Sequence, residues 1–197
     1  MLKLLFPLPK ELTVACSGGV DSMAVLDFLR RKHEVTVAFY HHSTPNSDAA
    51  YQFVANYCSE HDLPLFFGKL NESKPKELSQ EEFWRNKRYD FLSGFDTVIT
   101  AHHLDDCVET YLWSSLHGKA KLPHRYVRGN VLRPFLTTPK TEFVSWCERH
   151  DVKWSEDISN KDTNYTRNYI RHELMPHALK VNPGLRTTIR KIVERGG

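Results

Sequence analysis

The chain has 197 residues, with 27 Lys and Arg against 24 Asp and Glu, a formal net charge of +3. That length suits one domain of ordinary size with a short appendage, and 40% hydrophobic with 26% charged residues is a globular balance. No apolar run approaches the roughly 20 residues that cross a bilayer. Met1 to Phe6 is apolar but ends at Pro7 and Pro9 without a basic leader or cleavage site, so no membrane segment or signal peptide is expected and the expected compartment is the cytoplasm.

A short apolar strand is predicted over residues 12–16, followed by ACSGGVDS (15–22) and a helix over about 22–32 with Met23, Val25, Leu26, Phe28 and Leu29 as its apolar stripe. The loop therefore joins a strand end to a helix start. Unpaired amides and the positive dipole end at such a start favour an anion, and Gly18 and Gly19 let the backbone turn closely around one. Ser17 and Ser22 offer hydroxyl donors, and Asp21 offers a carboxylate for a phosphate-neutralising cation. A phosphate or pyrophosphate is the expected ligand; an ordinary strand-to-helix turn is the alternative.

Further strands are expected at Glu34 to Tyr40, Pro64 to Phe67, Thr97 to Ala101 and Asn130 to Phe135, with helices near 48–61, 80–93 and 140–150 and one or two basic helices from about 164. Short Val-, Phe- and Ile-rich strands alternating with helices predict an α/β fold, an open parallel five-stranded sheet with helices on both faces. Ligands of such sheets bind beyond the carboxyl ends of the strands. ACSGGVDS, Tyr40-His41-His42 and Ala101-His102-His103 all fall at such ends.

Three further stretches carry chemistry. In AHHLDDCVET (101–110), Asp106 and Glu109 stand at i, i+3 on a helix starting near Asp105, a pair able to hold an ammonium group, bind Mg²⁺ or divide into acid and base; helix capping is the competing role. In EEFWRNKRYDFL (81–92), Arg85 and Arg88 lie three apart and either bind phosphate or pair with Glu81 and Glu82. SEDISNKDTNYTRNYIRHELMP (155–176) starts with the cap and turn residues Asp157, Ser159 and Asn160 and ends with Arg167 and Arg171 as one ridge. From Lys161 to Arg195 eight basic residues face three acidic ones, which suits a phosphate backbone or a solvated helix face. Cys16, Cys58, Cys107 and Cys147 form no C-x-x-C pair, so buried free thiols are expected rather than zinc or an iron–sulfur cluster.

SGGVDS resembles the pyrophosphate loop of the PP-loop ATP pyrophosphatases, and no Gly-Lys-Ser/Thr makes it a Walker loop. Together with AHHLDDCVET, the R-x-x-R-Y of Arg85 to Tyr89, RPFL (133–136) and the 155–176 motif, the chain is similar over about 12–195 to the N-terminal catalytic domain of the tRNA(Ile)-lysidine synthetases. The resemblance implies an adenine nucleotide alpha hydrolase-like, Rossmann-like fold, with a nucleotide-binding core over about 1–136 and a helical extension over about 137–197 in one catalytic domain. It implies a ligase reaction: ATP adenylates the wobble cytidine of a CAU-anticodon isoleucine tRNA, and free L-lysine then attacks to give lysidine, AMP and pyrophosphate. It further implies that Ser17, Gly18, Gly19, Val20, Asp21 and Ser22 hold ATP, with Asp21 on Mg²⁺, and that His102 lies near the reacting phosphate. Asp106 and Glu109 would receive the lysine ammonium, with Arg85 or Arg88 near its carboxylate or the tRNA. Arg88, Arg167, Asn168 and Arg171 would lie on the RNA or nucleotide side.

The family's usual C-terminal tRNA-gripping domains are not in this sequence, so a homo-oligomer or helper protein is expected to take their place. Ser114 to Lys121 departs from the family's Arg-Gly-rich loop, and Tyr40-His41-His42-Ser43-Thr44 from its His-x-Asp/Asn-His-Gly pattern. Both changes bear on the RNA more than on the nucleotide. The alternatives are a PP-loop enzyme with another RNA or small-molecule acceptor, such as a tRNA thiolase, and a tRNA-binding protein without turnover.

Overall fold

The computed structural model describes residues 2–118, 120, 125–156 and 162–196. Strand β1 (Glu11–Ala15) leads through the glycine loop to α1 (Val20–Arg30), then come β2 (Glu34–His41), α2 (Ser47–Glu60), β3 (Leu65–Lys69), α3 (Gln80–Leu92), β4 (Val98–Ile99) and α4 (Leu104–Leu116). The hairpin β5 (Val127–Arg128) and β6 (Val131–Leu132) precedes α5 (Lys140–Arg149), α6 (Thr166–Tyr169), a π-helical turn (Ile170–Leu174), α7 (Met175–Val181) and α8 (Leu185–Arg195).

The sheet has six strands in the order β3-β2-β1-β4-β6-β5, parallel except for β5. The expected count of five is thus corrected by one. The extra strand is two residues long and turns back at Gly129, whose φ is 60°, too short to leave a periodic signal.

Strand alternation decides which helices lie on which face. Leu12, Val14 and Cys16 share a core with Val35, Val37, Phe39 and Ile99, covered by α1, α2 and α5 through Met23, Leu26, Val54, Phe143 and Trp146. On the opposite face Ala38, Val98 and Val131 pack with Leu92 of α3. A third cluster joins α4 to α7 and α8 through Leu104, Val108, Met175, Leu185 and Ile189. The C-terminal helices are therefore docked on α4, the helix that carries the paired acids.

One buried carboxylate ties three helices together. Asp27, 1% exposed, accepts hydrogen bonds from Trp146 Nε1 of α5 at 2.9 Å and Tyr57 Oη of α2 at 3.0 Å. It also accepts from both guanidinium groups that end α1, Arg30 Nη2 at 2.6 Å and Arg31 Nη2 at 2.9 Å. Burial pushes its pKa up, but the bonds from Trp146, Tyr57, Arg31 and Arg30 outweigh that and hold it below the ordinary 3.8. A depressed folded pKa contributes stability that is present above the ordinary value and lost as pH falls through the folded one. Asp27→Ala is expected to cost about 2–4 kcal/mol, since it leaves the buried Trp146 Nε1–H and Tyr57 hydroxyl without their acceptor, at about 1–3 kcal/mol each. Urea unfolding checks this; a loss under about 1 kcal/mol would show that apolar packing alone holds these helices.

Candidate active site

The loop after β1 is shaped by its own hydroxyls. Ser22 Oγ donates to Gly19 O at 2.9 Å and accepts from Ser17 N–H at 3.2 Å, and Ser17 Oγ lies 3.3 Å from it. Ser22 is buried and cross-braces the loop, while Ser17 is exposed. Gly18 has φ +85°, and a Cβ there would meet Val54 Cγ2 at 3.3 Å and Ser155 Cβ at 3.7 Å. Its carbonyl accepts from Ser155 N–H at 2.9 Å, so the start of the 155–176 motif rests on the glycine loop. Gly19 caps α1 in an extended conformation, with no side chain satisfying the first-turn amides and with Asp21 in that turn. These amides, with Val20 as the first helical residue, make an anion site.

Asp21 faces the start of two other helices. Its Oδ2 lies 3.4 Å from Lys140 Nζ of α5 and 3.6 Å from His103 Nε2, the N-cap of α4. Its Oδ1 is buried without a partner. Burial pushes the Asp21 pKa up, yet the hydrogen bond and charge of His103 and the charge of Lys140 leave it below the ordinary range. His103 is fully buried; burial lowers its pKa, and Asp106, Asp21 and Asp105 more than reverse the shift. His102 points elsewhere, its Nδ1 2.8 Å from Thr100 Oγ1 at the end of β4.

The acids of α4 are gripped by arginines. Asp106 closes a capping box with His103, accepting His103 N–H at 3.0 Å through Oδ2. Its Oδ1 accepts from Arg167 Nη2 at 2.6 Å. Glu109 accepts from Arg167 Nε at 3.0 Å and Arg171 Nε at 2.6 Å. Asp106 and Glu109 are buried, whereas the Arg167 side chain is half exposed. The pKa of Asp106 stands far below the ordinary range: burial opposes this, but the charges of His103 and Arg167 prevail. Arg167 is shifted up by Asp106 and Glu109 against its own burial. Two carboxylates and two guanidiniums thus form a compact cluster of no net charge. Asp105, the neighbouring acid, instead accepts Lys140 N–H at 2.8 Å and Arg186 Nη2 at 2.7 Å, locking α4 to α5 and α8.

Residues 3–178 match the PP-loop domain family. The chain belongs to that family. It is 34% identical to the bifunctional protein TilS/HprT of Listeria innocua over 93% of this chain and 32% of that one. It is also 34% identical to the tRNA(Ile)-lysidine synthase of Legionella pneumophila, over 92% of this chain and 46% of that one. The corresponding enzyme of Thermotoga maritima is 29% identical over 93% and 49%. The chain thus spans half the length of these relatives or less. Among solved structures, the U34-tRNA thiolase NcsA of Methanococcus maripaludis shares the fold with a TM-score of 0.76 at 14% identity, covering 94% of this chain and 70% of that one.

In this PP-loop domain the expected site residues fall into two groups. Ser17 to Ser22, Asp106 and Glu109 converge at the carboxyl ends of β1 and β4, with Arg167 and Arg171 brought in as partners of the acids. Arg85 and Arg88 of α3 form no ion pair with these acids, and both lie near the Tyr89 ring, at 5.8 and 5.7 Å. Asn168 is buried, and its amide donates to Asp162 O at 2.9 Å. Asp157, Ser159 and Asn160 lie outside the described residues, as does part of the 114–129 loop. His103 and Lys140 were not singled out from the sequence. His103 had a signal, its place just before the helix; Lys140 had none, since it meets Asp21 from 119 residues away. All four cysteines are buried and free, and burial pushes the thiols of Cys58 and Cys147 up to about 12.

Proposed function

We propose that this PP-loop domain carries the two chemical steps of a tRNA(Ile)-lysidine synthase. The observation that carries this is the meeting, through His103, of an anion loop, a carboxylate with a bare buried oxygen, and a charge-balanced acid–arginine cluster. Similarity over 92% of the chain to proteins named for that reaction supports the same reading. In the first step the C2 oxygen of the wobble cytidine attacks the α-phosphorus of ATP and pyrophosphate leaves. In the second the lysine ε-nitrogen attacks C2, the C2–O bond breaks, AMP leaves, and the nitrogen gives up a proton.

The loop amides of Gly18, Gly19 and Val20 and the Ser17 hydroxyl bind phosphate oxygens, with Ser22 holding the loop in shape. These donors are fixed before the nucleotide arrives, the condition under which electrostatic stabilisation is largest. His102, whose Nδ1 lies 2.8 Å from Thr100 Oγ1 just beyond β4, is the residue assigned to the reacting phosphate in this reading. Asp21 fits Mg²⁺: its Oδ1 is a hard oxygen, buried and unpaired. Bound there, Mg²⁺ would neutralise charge on the phosphates.

The second substrate matches the acid–arginine cluster. Lysine carries two ammonium groups and one carboxylate, and Asp106–Glu109 offers a partner for an ammonium while Arg167–Arg171 offers one for the carboxylate. The ammonium exchanges for a guanidinium at the acids without leaving a buried charge unpaired. Sulfur transfer, the chemistry in the thiolase's name, calls for a reactive thiolate or for an iron–sulfur cluster such as that of NcsA. The four cysteines here are instead buried, and burial pushes Cys16, Cys58 and Cys147 up.

The test is an incubation of the protein with Mg-ATP, lysine and a CAU-anticodon isoleucine tRNA transcript, followed by nucleoside mass spectrometry. A lysine-sized gain on cytidine is the expected result. ATP consumption without that gain would assign another acceptor.

A further inference from the structure

Four guanidinium groups converge on Tyr89, and among the described residues none of them has a carboxylate partner. The guanidinium carbons of Arg128, Arg88 and Arg85 lie 5.0, 5.7 and 5.8 Å from the ring centroid. Arg133 Nη2 donates to the Tyr89 hydroxyl at 3.0 Å. Arg30, Arg31, Arg167, Arg171 and Arg186, by contrast, are all ion-paired. Arg133 is only 2% exposed; its Nη1 donates to Arg125 O at 2.9 Å and its Nε is buried with no acceptor. Burial lowers the Arg88 pKa, and the charges of Arg167, Arg85 and Arg133 push the same way. Tyr89 is shifted down: burial opposes this, but the charge and hydrogen bond of Arg133 and the charges of Arg88 and Arg85 prevail.

Cations gathered and partly desolvated without a counter-ion are unfavourable. A phenol ring offsets that only in part, by about 0.5–2 kcal/mol for a cation–π contact. The missing partner is an anion. The charges are also graded in depth: Arg85 and Arg128 are exposed, Arg88 is half-buried and Arg133 is buried. They come from two elements, α3 and the β5–β6 hairpin. At the inner end Arg88 senses Arg167 of the acid–arginine cluster. A single carboxylate would balance one of these charges, whereas a strand of successive phosphodiesters balances several.

We infer that Arg85, Arg88, Arg128 and Arg133, arranged around Tyr89, form a site for the phosphodiester backbone of RNA on the side of the crevice next to the acid–arginine cluster. This rests on the reading that the acceptor is an RNA, and it brings in Arg128, which no motif singled out. Guanidiniums suit phosphate because of their fixed donor fork.

The experiment measures binding of the tRNA transcript without ATP or lysine at several salt concentrations, for the wild type, Arg85→Ala and Arg128→Ala. Both side chains are exposed, so the variants are expected to keep the wild-type circular dichroism. Each is expected to raise the RNA Kd about 5- to 10-fold and to reduce the salt slope by about 1, as loss of one phosphate contact does. ATP affinity should stay at the wild-type value in both variants, and the lysine KM should do so in Arg128→Ala. Unchanged RNA affinity and slope would overturn the site. A raised lysine KM or ATP Kd with an unaltered slope would also overturn it, making the anion a free carboxylate or the nucleotide's phosphate. If the wild type turns over ATP but binds no RNA, the acceptor reading itself fails; if it binds RNA and the variants match it, only this site does.

Discussion

Asp21→Ala protein is expected to release pyrophosphate from ATP at least about 10²-fold more slowly than the wild type, the scale on which removal of one preorganised charge-stabilising group acts. The carboxylate sits between Lys140 Nζ and His103 Nε2, and its second oxygen is unclaimed. Without it Lys140 and His103 face the glycine loop with no acid to hold a metal. They still attract phosphate, so nucleotide binding should outlast turnover. Asp21→Asn separates charge from shape, because the amide fills the same space with no net charge, and it should lose turnover equally. Phosphate-coupled detection of pyrophosphate reads the rate, and a fluorescent ATP analogue reads binding. Wild-type release by the Asp21→Ala protein would remove Asp21 from the reaction.

What the sequence made legible is what local physics encodes. The glycine loop lies between a strand and a helix because an apolar run meets Gly-Gly and then a helical stripe, all within about 20 residues. The alternation of elements led to the sheet and so to the crevice at its carboxyl ends. Contacts between distant elements were not legible. Arg167 and Arg171 show only a ridge spacing in the chain, yet they meet Glu109 from 58 and 62 residues away. The RNA or nucleotide side that the resemblance implies for them carries no hint of the acids that hold them. The π-helical turn at Ile170–Leu174, which follows Arg167 and contains Arg171, has no sequence signature either. The capping role of His103 is hard to read from the chain because capping normally falls to Ser, Thr, Asp or Asn, whereas here an imidazole does it. The same ring thereby lies between Asp106 and Asp21, linking the two halves of the site.

That link shapes what a change at Asp106 should do. Asp106→Ala would remove both a capping group, worth about 1 kcal/mol, and a charge, so its effects would mix. Asp106→Asn is the sharper variant, because an amide oxygen can still accept the His103 N–H. It is expected to raise the lysine KM about 10- to 100-fold, matching the 1.5–3 kcal/mol of a charge-assisted hydrogen bond. Pyrophosphate release with tRNA present should stay within about 2-fold of wild type. The asymmetry follows from charge balance. In the wild type two acids meet two arginines, and incoming lysine brings two ammonium groups and one carboxylate to that balanced cluster. In the variant one acid meets two arginines, so the lysine carboxylate is still attracted while its ammonium groups are held more weakly, and the ε-nitrogen that must reach C2 is less well anchored. Steady-state assays varying lysine at saturating ATP and tRNA separate the two steps. A parallel fall in pyrophosphate release would mean that the cluster serves the nucleotide, and the lysine site would then have to be sought elsewhere in the crevice.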